Sequence, residues 1–351
     1  MGMSYWSKKE GAEMNVANWD LAENLMRRIN LGDCLRRTTA RYAKKEAVVY
    51  RERRVTYEEF NLHANRFGSA LLGLGYGKGS KVAFLGLNCY EFLISLFGAA
   101  KSGMILVPLN PLLRPDELRY AIDHADVEAI VLEEGYAETI RDLISRLPKV
   151  RTLVKIDRGS GHEEEMLDFE ELLSQGSPEE LEVCIGDHDP VEILYTGGTT
   201  AFPRAAVLSH LSLVMSCVST ALDFKLDHHE VNLNVMPMFH VGQLCSTVST
   251  ILVGGRNVIL PWVDFAAILE SIQREKITLM VLLSPLWRAL LYHPDFLKYD
   301  LSSLRFVLYF GAVMPESLLR EVMDKVCPNL GLEFGQTEMS PTATTFKPED
   351  Q

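Results

Sequence analysis

The sequence is poor in the features that mark several common protein classes. No uninterrupted run of about 18 apolar residues occurs in its 351 residues, so no transmembrane helix is predicted. The opening stretch, MGMSYWSKKEGAEM, is polar and lacks an apolar signal core. Basic charge is short as well: 35 Lys and Arg against 47 Asp and Glu give a net charge of −12. That is the wrong sign for a nucleic-acid-binding surface. The six cysteines, Cys34, Cys89, Cys184, Cys217, Cys245 and Cys327, include no C-x-x-C pair, which argues against a zinc site or a disulfide framework. Most fall in apolar stretches, as small core residues of a reducing compartment do. No Gly-Lys-Ser/Thr triplet, internal repeat or low-complexity tract is present, so a Walker-type kinase is not expected. What remains is a cytoplasmic globular protein.

With 47% hydrophobic and 23% charged residues, the chain can build a sizeable core, and its length suits two domains or one α/β body with two lobes. After a tail over residues 1–18, leucines and alanines recur at helical spacing from Leu21 to Tyr42, predicting one amphipathic helix. Ala47–Tyr50, the charged Arg51–Arg54 and Val55–Tyr57 read as strand, turn and strand. Thr56 and Glu59 make a capping box for a helix running through Leu74. The glycines of Gly73–Gly79 (GLGYGKG) follow that helix and precede the strand Lys81–Leu87. A dinucleotide loop needs the reverse order, so they read as a helix stop and turn.

Helical and strand-like runs then alternate: helix Tyr90–Ser102, strand Met104–Val107, helix Pro115–His124, strand Ala129–Leu132. Alternation of this kind signals a mostly parallel sheet with helices on its faces. Pro115 followed by Asp116 and Glu117 is a helix-start signature. Gly159–Glu182 is acidic and reads as a solvated surface connection. Further on come helix Leu211–Phe224, strand Val231–Met236, the strand-like runs Ser249–Val253 and Asn257–Leu260, and helix Phe265–Arg274. Thr278–Leu283, a helix near Trp287–Tyr292 and strand Arg305–Tyr309 continue the series.

Between these halves lies Val191–His210, VEILYTGGTTAFPRAAVLSH. Adjacent Gly197 and Gly198 let backbone N–H groups converge into an anion-binding concavity. Thr196, Thr199 and Thr200 add hydroxyl donors, and Arg204 adds a planar fork suited to phosphate oxygens. A polar turn between two strands would explain a lone Gly-Gly pair. The density of donors from Thr196 to Arg204 favours a phosphate.

This stretch resembles the phosphate loop of the adenylate-forming superfamily (acyl- and aryl-CoA synthetases, luciferases, nonribosomal adenylation domains), Y-T-S-G-T-T-G-x-P-K-G. Tyr195, Thr196, Gly198, Thr199, Thr200 and Pro203 match, and Gly197 in place of serine is closest to the long-chain acyl-CoA synthetase version. Ala201 and Ala205 stand where glycine is usual, and Arg204 replaces lysine. An alanine held at positive φ would carry roughly 1–2 kcal/mol of strain. Three further stretches resemble the same family in the same order. Met236–Gly242 (MPMFHVG) is similar to P-x-F-H-x-x-G, which implies that Phe239 and His240 border the pocket for the acid's carboxylate. A histidine beside aromatics is also an ordinary core residue. Phe310-Gly311-Ala312 is similar to the adenine-side G-A-P segment, and reads equally as a tight turn needing glycine. Gly331–Pro341 (GLEFGQTEMSP) is similar to Y-G-x-T-E, with Phe334 in the tyrosine's place.

The resemblance spans about Asn30 to Pro341 and implies an α/β fold of two αβα lobes with mostly parallel sheets, the large N-terminal domain of an adenylate-forming enzyme. One lobe is expected over 66–225, ending in the phosphate loop, and the other over 19–65 plus 226–345, on the adenine side. Residues 346–351 would be a truncated end, with the ribose-binding aspartate, the hinge and the lysine-bearing lid absent. The implied reaction converts a carboxylic acid, of medium or long fatty chain, and ATP to acyl-AMP and pyrophosphate, then to acyl-CoA and AMP. Thr196, Gly197, Gly198, Thr199, Thr200 and Arg204 would hold phosphates. Gly311, Ala312, Glu333, Phe334 and Gly335 would line the adenine and ribose site, Thr337 would meet the α-phosphate, Glu338 would hold Mg²⁺, and His240 would lie near the acid. Hard cations favour carboxylate and phosphate oxygens, and such a cation neutralises charge developing on the leaving pyrophosphate. The partners expected are the acid, ATP and CoA, with a homodimer left open. The alternative is a degenerate nucleotide- or acyl-binding module without turnover.

Overall fold

The computed structural model describes residues 21–159, 161, 165–197 and 203–350. The tail expected over 1–18 lies outside the described residues, as do Gly198, Thr199, Thr200 and Ala201 of the loop.

The first predicted helix is in fact two, Leu21–Arg27 (α1) and Leu31–Tyr42 (α2). The break falls at Asn30, whose side chain accepts from the N–H groups of Gly32 at 2.6 Å and Asp33 at 3.3 Å and so caps a new helix. Glu46–Tyr50 (β1) and Arg53–Thr56 (β2) pair antiparallel. The predicted Thr56–Glu59 box opens Tyr57–Gly73 (α3). Lys81–Leu85 (β3), Tyr90–Ser102 (α4), Ile105–Leu109 (β4), Pro115–His124 (α5), Ala129–Glu133 (β5), Ala137–Ile144 (α6) and Thr152–Ile156 (β6) follow.

The acidic tract is only partly a surface connection. Leu167–Asp168 (β7) and Phe169–Gln175 (α7) form within it, and Phe169, Leu172 and Leu173 are buried at helical spacing. Farther along, Glu180 accepts from buried Lys101 Nζ at 2.7 Å, and Lys101 also reaches Asn61 and Asn65. The glutamates hid an apolar stripe.

Pro190–Thr196 (β8), Arg204–Ser209 (β9), His210–Asp223 (α8), Val231–Asn234 (β10), Val241–Val253 (α9) and Arg256–Ile259 (β11) come next. Ser249–Val253, expected to be strand-like, is the end of α9 instead. His240 caps the start of that helix, Gly254 ends it in a left-handed conformation, and nearly every α9 residue between is buried. A helix without a polar face carries no 3.6-residue signal. Phe265–Glu275 (α10), Leu279–Leu283 (β12), Ser284–Leu291 (α11), Phe306–Phe310 (β13), Glu316–Lys325 (α12), Leu330–Gly335 (β14) and Thr342–Phe346 (β15) complete the order.

The strands form two sheets, β15-β14-β13-β12-β10-β11-β1-β2 and β7-β6-β5-β3-β4-β8-β9. Pairing is parallel except at β2, β15 and β9, each an edge strand. Helices α2, α3, α4, α8 and α9 fill the space between the sheets around Tyr57, Phe60, Phe97 and Leu244. On the far face of the first sheet α10, α11 and α12 pack through Ile268, Trp287 and Leu318. On the far face of the second, α5 and α6 contribute Leu118 and Ile140. Among the described residues no helix is long and apolar enough to cross a membrane. In open α/β sheets of this kind, ligands bind beyond the carboxyl ends of the strands.

Candidate active site

A cleft of about 570 Å³ opens where the carboxyl ends of β8, β12, β13 and β14 meet the start of α9. Of the residues singled out in the sequence, it brings together Thr196, Gly197, His240, Gly311, Glu333, Phe334, Gly335, Thr337 and Glu338. Residues as far apart in the chain as Thr196 and Glu338 thus share one wall only because two sheets converge there.

Thr196 ends β8 and pairs across the hairpin with Arg204, its hydroxyl donating to the Arg204 carbonyl at 3.4 Å. Arg204 is exposed and does not line the cleft. Ala205 pairs with Tyr195 in the ladder and is not among the residues of positive φ, so the strain considered for it is absent. Two positions after the hairpin's start, β8 carries an anomaly. Glu192 is fully buried, neither carboxylate oxygen has a hydrogen-bond partner among the described residues, and burial pushes its pKa up to about 8.

His240 sits at the mouth of α9. Its Nδ1 accepts from the Gly242 N–H at 3.3 Å, and its ring lies 5.9 Å from that of Phe310. Removal from water lowers its pKa, which favours the neutral imidazole. The loop bearing it is pinned by Asn88, which donates to the carbonyls of Met236 at 2.9 Å and Leu260 at 3.2 Å and accepts from Met238 N–H at 2.8 Å. Gln243 accepts from Met236 N–H at 3.1 Å and donates to Asn234 at 2.9 Å. Asn234 in turn donates to Asn257 at 2.9 Å and accepts from the Thr247 hydroxyl, while Asn232 donates to Asn257 at 3.1 Å. A polar network inside the first sheet therefore reaches the cleft.

Gly311 ends β13 at φ +77°, a left-handed conformation, and a Cβ there would lie 2.7 Å from Leu283 Cδ2. The turn requires glycine, as one of the two sequence readings has it, and the same glycine lines the cleft. Ala312 does not line it; its carbonyl accepts from Ser284 Oγ at 2.9 Å, which anchors the turn. Gly335 is forced by close approach, since a Cβ would sit 1.8 Å from the Pro341 carbonyl oxygen. Phe334 is 63% exposed into the opening, Thr337 is buried, and Glu338 is exposed beside it. The turn carrying them is tied to α8 by a Ser340–Ser212 hydroxyl contact of 3.1 Å. Sequence reasoning missed Asn110, Val241, Leu283, Gln336 and Thr342 as lining residues. Leu283 was findable, because it closes a predicted strand at the carboxyl end where ligands gather.

Among the described residues no group of three or more His, Cys, Asp or Glu could hold a metal by itself. The single carboxylate of Glu338 nonetheless suits Mg²⁺, which keeps several waters and binds through one or two carboxylates plus substrate phosphates.

Residues 35–351 match the family described as AMP-binding enzyme. The chain is 32% identical over 313 residues to an indoleacetate–CoA ligase of Aromatoleum aromaticum, covering 87% of this chain and 59% of that one. It is 29% identical over 339 residues to a long-chain-fatty-acid–CoA ligase of Thermus thermophilus, covering 95% of this chain and 61% of that one. The chain thus spans about three-fifths of the length of these relatives. The inhibitor-bound N-terminal domain of FACL13 from Mycobacterium tuberculosis superposes with a TM-score of 0.84 at 25% identity, over 92% of this chain and 79% of that one. With the expected mixed α/β architecture and two mostly parallel sheets in place, the chain belongs to the AMP-binding enzyme family, whose members here are acyl-CoA ligases.

Proposed function

We propose that this cleft activates a carboxylic acid with ATP, forming acyl-AMP and pyrophosphate, and that the acyl group then passes to the CoA thiol with release of AMP. The observation that carries this reading is the convergence of Thr196, Gly197, His240, Gly311 and Phe334–Glu338 in one opening. Thr196 and Gly197, at the end of β8, lead into the expected phosphate cradle, and Thr337 offers a hydroxyl to the α-phosphate. Phe334 presents an exposed ring for adenine. Mg²⁺ bound at Glu338 would offset the charge gathering on pyrophosphate. Catalysis on this scheme is mostly positioning and charge neutralisation. His240, neutral and beside Phe310, borders the acid.

Among relatives, the long-chain ligase supports a fatty acid and the indoleacetate ligase supports an aromatic one. The second reading, a binding module without turnover, is favoured by one observation: Arg204 is exposed and is not among the residues that line the cleft. Calorimetric titration with ATP·Mg²⁺, paired with an assay of pyrophosphate release on adding acid, tests both. Saturable heat that weakens about tenfold in Thr337→Ala is expected, that being the scale of one lost charge-assisted hydrogen bond. No heat, or unchanged affinity in Thr337→Ala, sinks the proposal. Binding without pyrophosphate leaves only the module.

A further inference from the structure

A second cavity, of about 600 Å³, shares no lining residue with the catalytic cleft. It opens where β1 of the first sheet and β6 of the second both end, so the rule that gathers ligands beyond the carboxyl ends of strands applies here too. Ile156 and Phe169, both buried, give it an apolar wall. Tyr50 stands beside them, 4% exposed, and its hydroxyl has no hydrogen-bond partner. Burial is the main cause that pushes its pKa up to about 12, so at neutral pH the hydroxyl keeps its proton and can donate.

Two guanidinium groups flank that ring, Arg51 at 5.2 Å and Arg158 at 5.6 Å from its centre. Arg158 grips Glu91 with Nη1 at 2.9 Å and Nη2 at 3.0 Å, while its buried Nε–H has no partner. Arg51 is exposed, and among the described residues no carboxylate pairs with it. The lining carboxylates, by contrast, are already engaged. Glu91 holds Arg158, and Glu170 accepts from Arg53 at 3.3 Å. Asp168 accepts from the Glu171 N–H and Asp157 from the Gly159 N–H, each at 2.9 Å. Among the described residues Glu52, on the exposed turn after β1, is the lining carboxylate left without a partner. What the cavity holds in excess is therefore donors, three of them around one aromatic ring.

We propose that this cavity binds a small organic acid through its carboxylate, which meets the Tyr50 hydroxyl, Arg158 Nε–H and Arg51 while its apolar body lies against Ile156 and Phe169. A buried hydroxyl and a buried N–H both call for an acceptor, and a carboxylate offers two oxygens to charge-assisted bonds. Five carboxylates against three arginines line the cavity, which limits the charge it accepts. A phosphate dianion would meet that negative surplus, whereas a monoanion is matched by the unpaired Arg51.

A ¹⁹F NMR titration of the whole chain, without nucleotide, tests the assignment. Four probes share a 4-(trifluoromethyl)benzyl body and differ in its head: the arylacetate, its amide, the benzylphosphonate as a dianion, and the benzylamine. The arylacetate is expected to saturate with a dissociation constant of about 1 mM or tighter, the scale for a ligand of about a dozen heavy atoms. It should bind about tenfold tighter than each of the other three. Tyr50→Phe and Arg51→Gln should each weaken it about tenfold. Neither change removes a hydrogen bond within the chain, and a melting temperature near wild type checks that each variant is folded. Should Tyr50→Phe fail to fold, the exposed Arg51→Gln carries the test. Acid bound in the catalytic cleft would respond to His240→Ala instead. No saturation, an amide bound as tightly, a tighter amine or phosphonate, or binding that survives both cavity variants overturns the inference. Each of these outcomes leaves the adenylation reading of the other cleft standing.

Discussion

The two sheets bury polar side chains in opposite ways. Beside α9, the first sheet encloses Asn232, Asn234 and Asn257, all fully buried, and each has hydrogen-bond partners in the network that includes Gln243 and Thr247. The second sheet encloses Glu192, equally buried, with none among the described residues. Satisfied burial fixes geometry, because each amide has one arrangement that pairs all its neighbours. Here it fixes α9 against β10 and β11 and, through Gln243 and Met236, the loop that ends in His240. Unsatisfied burial fixes nothing and instead holds a proton on the carboxyl.

The contrast can be broken most forcefully at Asn234. Asn234→Leu would orphan Gln243 Nε2, at about 1–3 kcal/mol, and take one partner each from Thr247 and Asn257, which keep the Gln243 carbonyl and Asn232; it is expected to destabilise the chain by roughly 2–4 kcal/mol in urea unfolding. Glu192 sharpens it from the other side. Its folded pKa of about 8 lies above the ordinary glutamate value of 4.5, so its contribution to stability is complete below pH about 4.5 and is lost as the pH rises through 8. Glu192→Met removes that dependence and is expected to gain about 3 kcal/mol over wild type at pH 7, from two and a half pH units at 1.36 kcal/mol each. Urea unfolding from pH 5 to 8 checks both the sign and the slope. An exposed hydrogen bond supplies the scale: Thr56→Ala, which loses the cap of α3, is expected to lower stability by only about 1 kcal/mol in thermal unfolding.

Local chemistry was legible and long-range partnership was not. Pro115 at the first helical position and the Thr56–Glu59 box gave α5 and α3 their starts, because those signals lie within one turn of the residues they govern. The break at Asn30 was equally local, yet it was obscured by leucines that keep helical spacing across it. The end of α9 was misread because burial on every side erases periodicity. In the site, the residue types of the loop, the His240 segment and the Thr337–Glu338 pair pointed to one shared site, and Thr196, Gly197, His240, Thr337 and Glu338 do line one cleft. Their supports carried no such signal. Asn88 holds a loop 148 residues away, and Lys101 meets Glu180 at a separation of 79; no pattern along the chain encodes either. Arg204 and Ala312 matched the motif by position and lie outside the cleft lining, since sequence matching fixes a residue's place along the backbone and not where its atoms are presented.

The β8–β9 ladder carries a last consequence. Ala205, paired with Tyr195, stands in regular extended backbone where the family pattern has glycine. Alanine has fewer conformations to surrender on folding than glycine does, a difference of about 0.4–1 kcal/mol where the native backbone suits both. The departure from the pattern therefore stiffens the root of the hairpin, leaving the paired ends of β8 and β9 with less freedom to fray.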